Sequence, residues 1–395
     1  MALRENPDDG GECGMKYAHL NRWKVTLTTE SPVFIGASPQ EKLSKRECVY
    51  DQGKGVLYVP DIVKLIETIE KQGNLNDFES FLLQVQSQLG DRISLREFLR
   101  NINIPISPDA PWVRYTLKTA SGDYSTLNAL HCFIKNAQGL PYIPGSSIKG
   151  AVRTALLAAR SKEEELQSMI KNAEDKPKSR WSGPVENPLR VLRLNQRPEK
   201  ETDAVNDLLR AMQVSDSAPC PLDSLVVCKK LELSSDGEVH GTSQGNRNGR
   251  SSPPLYRECL QPGTKTIFYL TIDQKLAGTQ LSVTQITQAL KSWYALQRQR
   301  YDDQFAWENV PLDGVEFSGV PIILGGGVGF QSKSLTYRLA DPEETRTAVH
   351  NILKAQFCKT YKPHADDPAP YRMKIAQIGD RFYPMGHCSL QVEEA

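Results

Sequence analysis

One stretch, residues 139–160 (GLPYIPGSSIKGAVRTALLAAR), constrains the fold of this chain more than any other. Leu140–Ile143 is apolar and aromatic and lies between a glycine and a proline, which is typical of a strand end. Pro144-Gly145 predicts a turn, and the hydroxyl of Ser146 or Ser147 can cap a helix by accepting a hydrogen bond from a first-turn N–H. Helical spacing then predicts one buried face, made of Ile148, Val152, Ala155, Leu156 and Ala159.

The same helix is predicted to carry positive charge beside that face. At about 100° per residue, Lys149, Arg153 and Arg160 lie together along one flank. First-turn N–H groups without intrahelical partners, two serine hydroxyls and these cations converge on one place, which is typical of an anion site. We therefore expect Ser146, Ser147, Lys149 and Arg153 to bind phosphate.

This spacing is not that of a nucleotide-hydrolysing phosphate loop. The pattern G-x-x-x-x-G-K-[ST] does not occur here, because Lys149 precedes Gly150 and a single glycine precedes the serines. The pattern alone leaves an alternative open, which is an ordinary capped amphipathic helix with solvated lysine and arginine side chains.

Periodicity along the rest of the chain predicts an α+β fold. A strand, two crossing helices and returning strands are the parts of a ferredoxin-like (RRM-like) unit. The aromatic pattern by which such sheets usually stack RNA bases is not present in this sequence. Strands are predicted at Trp23–Leu27, Trp112–Lys118, Thr264–Ile272 and about Met385–Val392, and helix starts at Asp61, Ser282 and Asp341.

A glycine-rich segment near residue 325 is the second candidate site. Gly325, Gly326 and Gly327 follow an apolar strand and precede Lys333. Glycines permit close approach of the backbone and positive φ, which cradling a phosphate requires. We expect these four residues to form a second phosphate clamp; a turn shaped by geometry alone is the alternative.

Several segments carry a family resemblance. PYIPGSSIKGAVRTAL resembles the signature of the RAMP superfamily of CRISPR-associated RNA-binding proteins. In their order along nearly the whole chain, the segments are similar to the fifth-subunit family of the type III-A (Csm) effector complexes. The further segments are LTTESPVFIG at 27–36, AMQVSDS at 211–217, PLYRE at 254–258, ILGGGVGF at 323–330 and FYPMGHCSL at 382–390.

The resemblance implies two ferredoxin-like RAMP domains with a helical insertion and a long flexible loop. We place a disordered lead-in at 1–16 and an N-terminal domain at 17–183, with the insertion at about 61–105. A C-terminal domain follows at 184–395. Its loop, at about 234–254, is implied to lie over the guide RNA as a thumb, and Arg257 in PLYRE is a further candidate RNA contact.

Composition sets the outer limits. The chain has 395 residues, 39% hydrophobic and 24% charged, which is typical of a soluble globular protein, and a net charge of +1. Positive charge that meets nucleic acid must therefore be local. We expect no membrane span and no signal peptide, hence a cytoplasmic protein. The eight cysteines and six histidines lack metal-ligand spacing, so we expect no metal, cofactor or disulfide.

The resemblance implies a non-catalytic subunit that binds CRISPR RNA and holds its 3′ end at one end of the complex. Its implied partners are the backbone RAMP subunit, the small helical subunit and a trimming nuclease of the host. Two alternatives stay open, a metal-independent endoribonuclease that processes the guide and a terminal RAMP subunit of a type III-B complex. For the first, His131 is the candidate base, although a histidine in an alternating strand is more often structural. A metal nuclease would instead need clustered carboxylates. Asp216 and Asp223 lie close in sequence, but aspartate at a turn or cap is the commoner use.

Overall fold

The structure is a computed structural model of the whole chain. The residues that it describes are 18–37, 41–83, 93–120, 127, 129–175, 188–194, 203–241, 255–305, 317–339, 341–357, 361–364 and 366–395.

Three sheets are built from the described strands. The strands are β1 Leu20–Thr29, β2 Lys42–Ser44, β3 Val49–Asp51, β4 Val56–Pro60, β5 Val113–Thr119, β6 Ala129–His131, β7 Met212–Val214, β8 Leu225–Lys229, β9 Leu231–Ser234, β10 Val239–Gly241, β11 Tyr256–Leu260, β12 Lys265–Asp273, β13 Val320–Ile323, β14 Arg372–Ile378, β15 Arg381–Pro384 and β16 His387–Glu394.

Helices cover the sheets and form the insertion. The described α-helices are α1 Ile62–Lys71, α2 Leu75–Leu83, α3 Leu95–Asn101, α4 Gly145–Arg160, α5 Glu163–Asp175, α6 Gln274–Ala277, α7 Val283–Arg300 and α8 Pro342–Gln356.

The two large sheets draw strands from both halves of the sequence. The order is β13-β16-β1-β12-β7 in the five-stranded sheet and β2-β6-β11-β8-β5-β4-β3 in the seven-stranded sheet. In the first, Leu27 of β1 pairs with both Thr266 and Leu390, so the last strand of the chain lies beside the first. The predicted mixed α+β architecture is confirmed. Strands from either side of residue 184 share each sheet, and the proposed domain boundaries stay predictions.

The largest core lies between the sheets and helices α4 and α7, and the insertion has a core of its own. Leu27, Val152 and Trp293 belong to the large core. Leu65, Phe78 and Phe98 of α1–α3, with Trp112, form the second. The three helices predicted between 61 and 105 are therefore present in the described residues, packed on one another and on the strand that follows them.

The predicted long loop at 234–254 is wrong over its first part. Residues 231–241 form a hairpin, in which β10 pairs with β9 and Gly237 makes the turn at φ 85°. A left-handed residue in the turn matches the twist of paired strands, and glycine adopts it without strain. Residues 242–254, like the predicted lead-in at 1–16, lie outside the described residues.

A four-stranded sheet, ordered β10-β9-β14-β15, continues this hairpin. One of its faces carries Lys230, Glu232, Arg372 and Lys374. The carboxylate of Glu232 pairs with all three cations, and the distance is 3.2 Å to Lys230 and 3.3 Å to Arg372.

None of the described helices has the length and the apolar character needed to cross a membrane.

Candidate functional site

Helix α4 begins at Gly145, and its N-terminus is fastened to the segment that runs beside it. The N-cap is Pro144, which has no side chain for capping, so the predicted serine cap is wrong. Instead the N–H of Gly145 donates to Oδ1 of Asp216 at 2.8 Å. A Cβ on Gly145 would collide with the backbone carbonyls of Val214 and Ser215, so only glycine fits this contact.

Neither of the two serines caps the helix, and both face outward. Ser146 is exposed and Ser147 half-buried in the first turn of α4. The N–H of Ser147 closes a turn with the Pro144 carbonyl at 2.9 Å. Because Asp216 and this turn use first-turn N–H groups, the anion-binding capacity of the helix end is smaller than the sequence predicts. The hydroxyls remain as ligands.

Those hydroxyls line one wall of a cleft of about 430 Å³. The other wall is the segment that contains the glycine-rich sequence, so Ser146 and Ser147 of the first candidate site share one cleft with Gly325, Gly326 and Lys333 of the second. Of the described residues that line this cleft, Lys333 is the single charged one. The lining is Ile35, Gly36, Ser146, Ser147, Gly150, Ala151, Thr154, Ile323, Leu324, Gly325, Gly326, Ser332 and Lys333.

The glycine wall owes its shape to positive φ and to contact with the chain after β1. Gly325 and Gly327 have φ of 90° and 84°. A Cβ on Gly325 would strike the carbonyl of Phe34, and the N–H of Gly326 donates to that carbonyl at 2.7 Å. Non-glycine residues at Gly325 would be strained for both reasons. Lys333 is exposed at the mouth of the cleft.

The predicted basic flank of α4 lies away from the cleft and contacts the protein itself. Lys149 Nζ donates to the Met212 carbonyl at 2.7 Å, and Arg153 pairs with Asp207 at 2.5 Å. Arg160 donates to the Gln280 carbonyl. Burial lowers the pKa of Lys149, and the negative charge of Asp207 acts in the opposite direction and raises it. The three cations thus hold α4 against neighbouring segments, and phosphate binding by Lys149 and Arg153 stays a prediction.

Arg257 lies at the back of the glycine wall. Its guanidinium carbon is 4.9 Å from the centroid of the Phe34 ring. A Cβ on Gly327 would collide with this guanidinium unless the arginine side chain moved, and the φ of 84° at Gly327 itself favours glycine. Burial lowers the pKa of Arg257, and its buried Nε has no hydrogen-bond partner among the described residues.

The segments that carry the family resemblance meet around the cleft. The N–H of Gly386 donates to the Pro32 carbonyl at 2.9 Å, and Leu324 donates to the Gly386 carbonyl at 2.8 Å. His387 donates its backbone N–H to Ser31 Oγ at 2.8 Å. Hydrogen bonds therefore connect the segments 27–36, 323–330 and 382–390, and residues 255–258 lie behind them. Residues 211–217 hold the start of α4.

Sequence reasoning missed several lining residues. Gly36, Thr154 and Ser332 belong to the cleft, as does Gly150, whose Cβ position meets only open space. The sequence did contain a signal for Gly150. Glycine weakens the interior of a helix, so a glycine there indicates a position where another group comes close to the backbone. The others depend on tertiary structure.

The cleft offers neutral hydrogen-bond donors and one ammonium group to its ligand. Hydroxyls, exposed backbone and a lysine contact phosphate oxygens without reading bases. No group of three or more histidine, cysteine, aspartate or glutamate side chains in the described part of the chain could hold a metal ion. The side chain of His131 makes no hydrogen bond with a described residue, and burial, then Lys42 and Arg257, lower its pKa.

The class of protein to which this fold belongs follows from a comparison with known protein families. The model of the RAMP superfamily matches residues 26–354, and the chain belongs to that superfamily.

Particular relatives are similar over almost the whole chain. One is the CRISPR system protein Csm5 of Mycobacterium tuberculosis (strain CDC 1551 / Oshkosh), 28% identical over 416 residues, covering 95% of this chain and 99% of the relative. Another is Csm5 of Streptococcus thermophilus, 28% identical over 386 residues, with coverage of 94% and 97%.

Solved structures show the same fold. A chain in the cryo-EM structure of a type III-A Csm–crRNA–target RNA ternary complex superposes with a TM-score of 0.61 at 18% identity, covering 93% of this chain and 100% of that one. The crystal structure of Csm5 from T. onnurineus gives a TM-score of 0.58 at 18% identity, with coverage of 92% and 99%.

Proposed function

We propose that this chain is a subunit of a type III-A Csm effector complex and that its cleft holds the backbone of the guide RNA. The observation that carries the proposal is the cleft itself. Hydroxyls of α4 face the glycine wall and Lys333 across it, and no described residue of its lining is acidic. The relatives named Csm5 support the place in the complex, and the fold neighbour comes from an assembly that contains crRNA.

We propose a binding role rather than a catalytic one. Metal-independent cleavage of RNA needs a base that is oriented toward the 2′-hydroxyl, usually by a hydrogen bond to a helper group. His131 has no such bond among the described residues, and Asp216 is occupied by the N–H of Gly145. An endoribonuclease remains the second candidate, and the test below separates the two.

Within the complex, we propose that the subunit protects the 3′ part of the guide and contacts the backbone RAMP subunit and the small helical subunit. A trimming nuclease of the host would act on RNA that extends beyond this subunit. The sister type III-B complex is the alternative assembly. Copurification from the native host, with identification of the associated subunits, decides between these two assemblies.

The test of RNA binding uses the purified full chain and several unrelated single-stranded RNAs across a salt series. Phosphate contacts predict similar affinities for all of the RNAs and a steep fall with salt. Lys333→Glu should weaken all of them about tenfold or more, because it replaces a cation with an anion beside phosphate. Lys291→Glu, an exposed lysine on α7 outside the cleft lining, is the matched control.

The same samples test for catalysis. Incubation with and without divalent metal should leave every RNA intact. Tight preference for one sequence, affinity that does not change with salt, or equal loss in the two lysine variants would contradict the proposed site. Cleavage that His131→Ala abolishes would establish the endoribonuclease instead.

A further inference from the structure

A row of basic side chains crosses the seven-stranded sheet next to the cleft. Three neighbouring strands, β2, β6 and β11, supply one residue each. Lys42 is paired with His131, and His131 is paired with Arg257 in the strand register. Residues in register on adjacent strands point to the same face, so the three side chains form a continuous row. We call it the basic row.

The basic row lies on the face opposite the main core. Leu43, Leu130 and Tyr256, which alternate with these three residues along the strands, all belong to the main core. Lys42 is exposed and His131 is half-buried. Its Lys42 and His131 end therefore faces away from the main core, whereas its Arg257 end adjoins a further apolar cluster that contains Phe34, Cys228 and Cys259.

No acid compensates the row among the described residues. None of its three members takes part in a described ion pair, although eleven ion pairs occur elsewhere. Lys42 and Arg257 both lower the pKa of His131, so they act on it as positive neighbours. Because the pKa of His131 is lowered, Lys42 and Arg257 carry the positive charge of the row at neutral pH, and an anion that binds across the row would neutralise both.

The row is also continuous with the cleft. Gly327 follows the glycines that line the cleft, and it lies against the guanidinium of Arg257. Adjacent strands are about 4.8 Å apart, so the backbones of Arg257 and Lys42 are separated by about 10 Å. A chain of phosphates that leaves the cleft past Gly327 would meet Arg257, then His131, then Lys42.

We propose that the basic row is an extension of the nucleic-acid path, which takes the phosphates of a single strand beyond the segment held in the cleft. This proposal rests on the proposed function, because it assigns a further stretch of the same ligand. A single strand is the fitting ligand, since flexible phosphates can follow a turn from the cleft onto an open sheet face.

The test compares two lengths of polyuridine RNA, about 5 and about 20 nucleotides, that differ in whether they can reach past the cleft. Lys42→Gln should lower the affinity for the long RNA roughly threefold to tenfold, and flatten its salt slope by about 0.7, the value for one phosphate contact on a single strand. It should leave the short RNA unchanged. Arg257→Gln should behave similarly, and Arg257→Lys should retain most of the binding.

Lys54→Gln is the matched control, because Lys54 is exposed in the turn between β3 and β4 at the opposite edge of the same sheet. Circular dichroism and urea unfolding confirm that each variant is folded. Should Arg257→Gln fail to fold, the exposed Lys42 still decides the question.

The outcomes separate the two proposals. If the wild-type chain binds neither RNA in a salt-dependent manner, the proposed function fails. If both RNAs bind and Lys333→Glu weakens both, the cleft stands, and the row is judged alone. Equal effects of Lys42→Gln and Lys54→Gln, or equal effects of Lys42→Gln on short and long RNA, overturn the extension.

Discussion

Gly150 lies in the second turn of α4, on the wall of the cleft, with open space where a Cβ would be. Its neighbours in the fold do not require glycine there, and glycine inside a helix costs about 0.5–1 kcal/mol relative to alanine. If the proposed function holds, the backbone of an approaching ligand would supply a reason for glycine at this position. Under the proposed function, this residue is therefore retained at the expense of stability.

We predict that Gly150→Ala raises the free energy of unfolding of the isolated chain by about 0.5–1 kcal/mol and at the same time weakens RNA binding. Gly150→Leu should weaken binding further, because its side chain would occupy the cleft. Urea unfolding and RNA titration on the same samples measure both quantities. Ala159→Leu, at an exposed position of the same helix outside the cleft, is the control. Binding that is unaffected by Gly150→Leu would remove α4 from the RNA site.

Local chemistry made some residues predictable and left others hidden. The helix starts at Asp61, Ser282 and Asp341 are confirmed, since each side chain accepts a hydrogen bond from a backbone N–H within its own first turn. The start of α4 was predicted wrongly because its true partner, Asp216, comes from a distant part of the sequence. The periodic face of α4 is nearly as predicted, except that Ala158 is buried and Ala159 is exposed.

Among the elements, α4 depends most on contacts that its own sequence does not reveal. The position of Arg153 on the helix flank was predictable, but its partner Asp207 was not. Asp207 is only 9% exposed and also accepts a hydrogen bond from the N–H of Leu209, so its carboxylate is held in place. In the fold, this flank also connects α4 with the segment before β7, and phosphate binding by Lys149 and Arg153 stays a prediction.

We predict that Arg153→Glu destabilises the protein by about 1–3 kcal/mol, because it removes the ion-pair partner of the mostly buried Asp207 and puts a like charge beside it. The matched control is Lys291→Glu, which reverses the charge of an exposed lysine on α7. Surface substitutions away from buried partners change stability little, so the control should cost less than about 1 kcal/mol.

Urea unfolding measures both variants, and a double-mutant cycle with Arg153→Met and Asp207→Asn isolates the pair. Coupling near zero would mean that the pair adds nothing to stability. In that case charge reversal at Arg153 could serve as a direct test of phosphate binding, which it cannot do while it also alters the fold.

At the scale of the whole molecule, the sheets assemble the site. The glycine wall follows β13, which lies beside β16, which in turn lies beside β1. Phe34, which comes just after β1, therefore meets Gly325 and Gly326. The two candidate segments, the start of α4 and the glycine-rich sequence with Lys333, were visible in the sequence as separate patterns. Their union depends on strand order and register, which single-sequence periodicity does not determine, because it shows the faces of a strand and not its neighbours.

Two buried groups couple the stability of the whole fold to pH. His387, enclosed by the rings of Phe317 and Tyr294, has its pKa lowered by burial to about 4 from a usual 6.5. Its unfolded form binds a proton that the folded form excludes, so stability falls as pH drops from about 6.5 to about 4. Burial is the largest single influence on the pKa of Glu232 and raises it. The charges and hydrogen bonds of Lys374 and Lys230 together outweigh burial and lower that pKa to about 2 from 4.5. A depressed carboxyl loses its stabilising effect as pH falls from about 4.5 to about 2.

We therefore predict that urea unfolding at a series of pH values shows two losses on acidification, one from His387 between about pH 6.5 and 4 and one from Glu232 below about pH 4.5. Asp302, whose pKa burial raises to about 7, opposes the first loss because its protonated form favours the folded state, so the effect of His387 is measured as the difference between wild type and variant. His387→Phe keeps a ring between Phe317 and Tyr294 and should flatten the window between about pH 6.5 and 4, where a full proton is worth up to about 1.4 kcal/mol per pH unit. The same change at exposed His364 is the control and should leave the window as it is.

Glu232→Gln leaves three cations together and should cost about 3 kcal/mol at pH 7, with a shallower loss below pH 4.5. Glu238→Gln, with a 73% exposed side chain in the same hairpin, should cost little. A profile with the wild-type slope in His387→Phe would show that the proton is taken up elsewhere in the molecule.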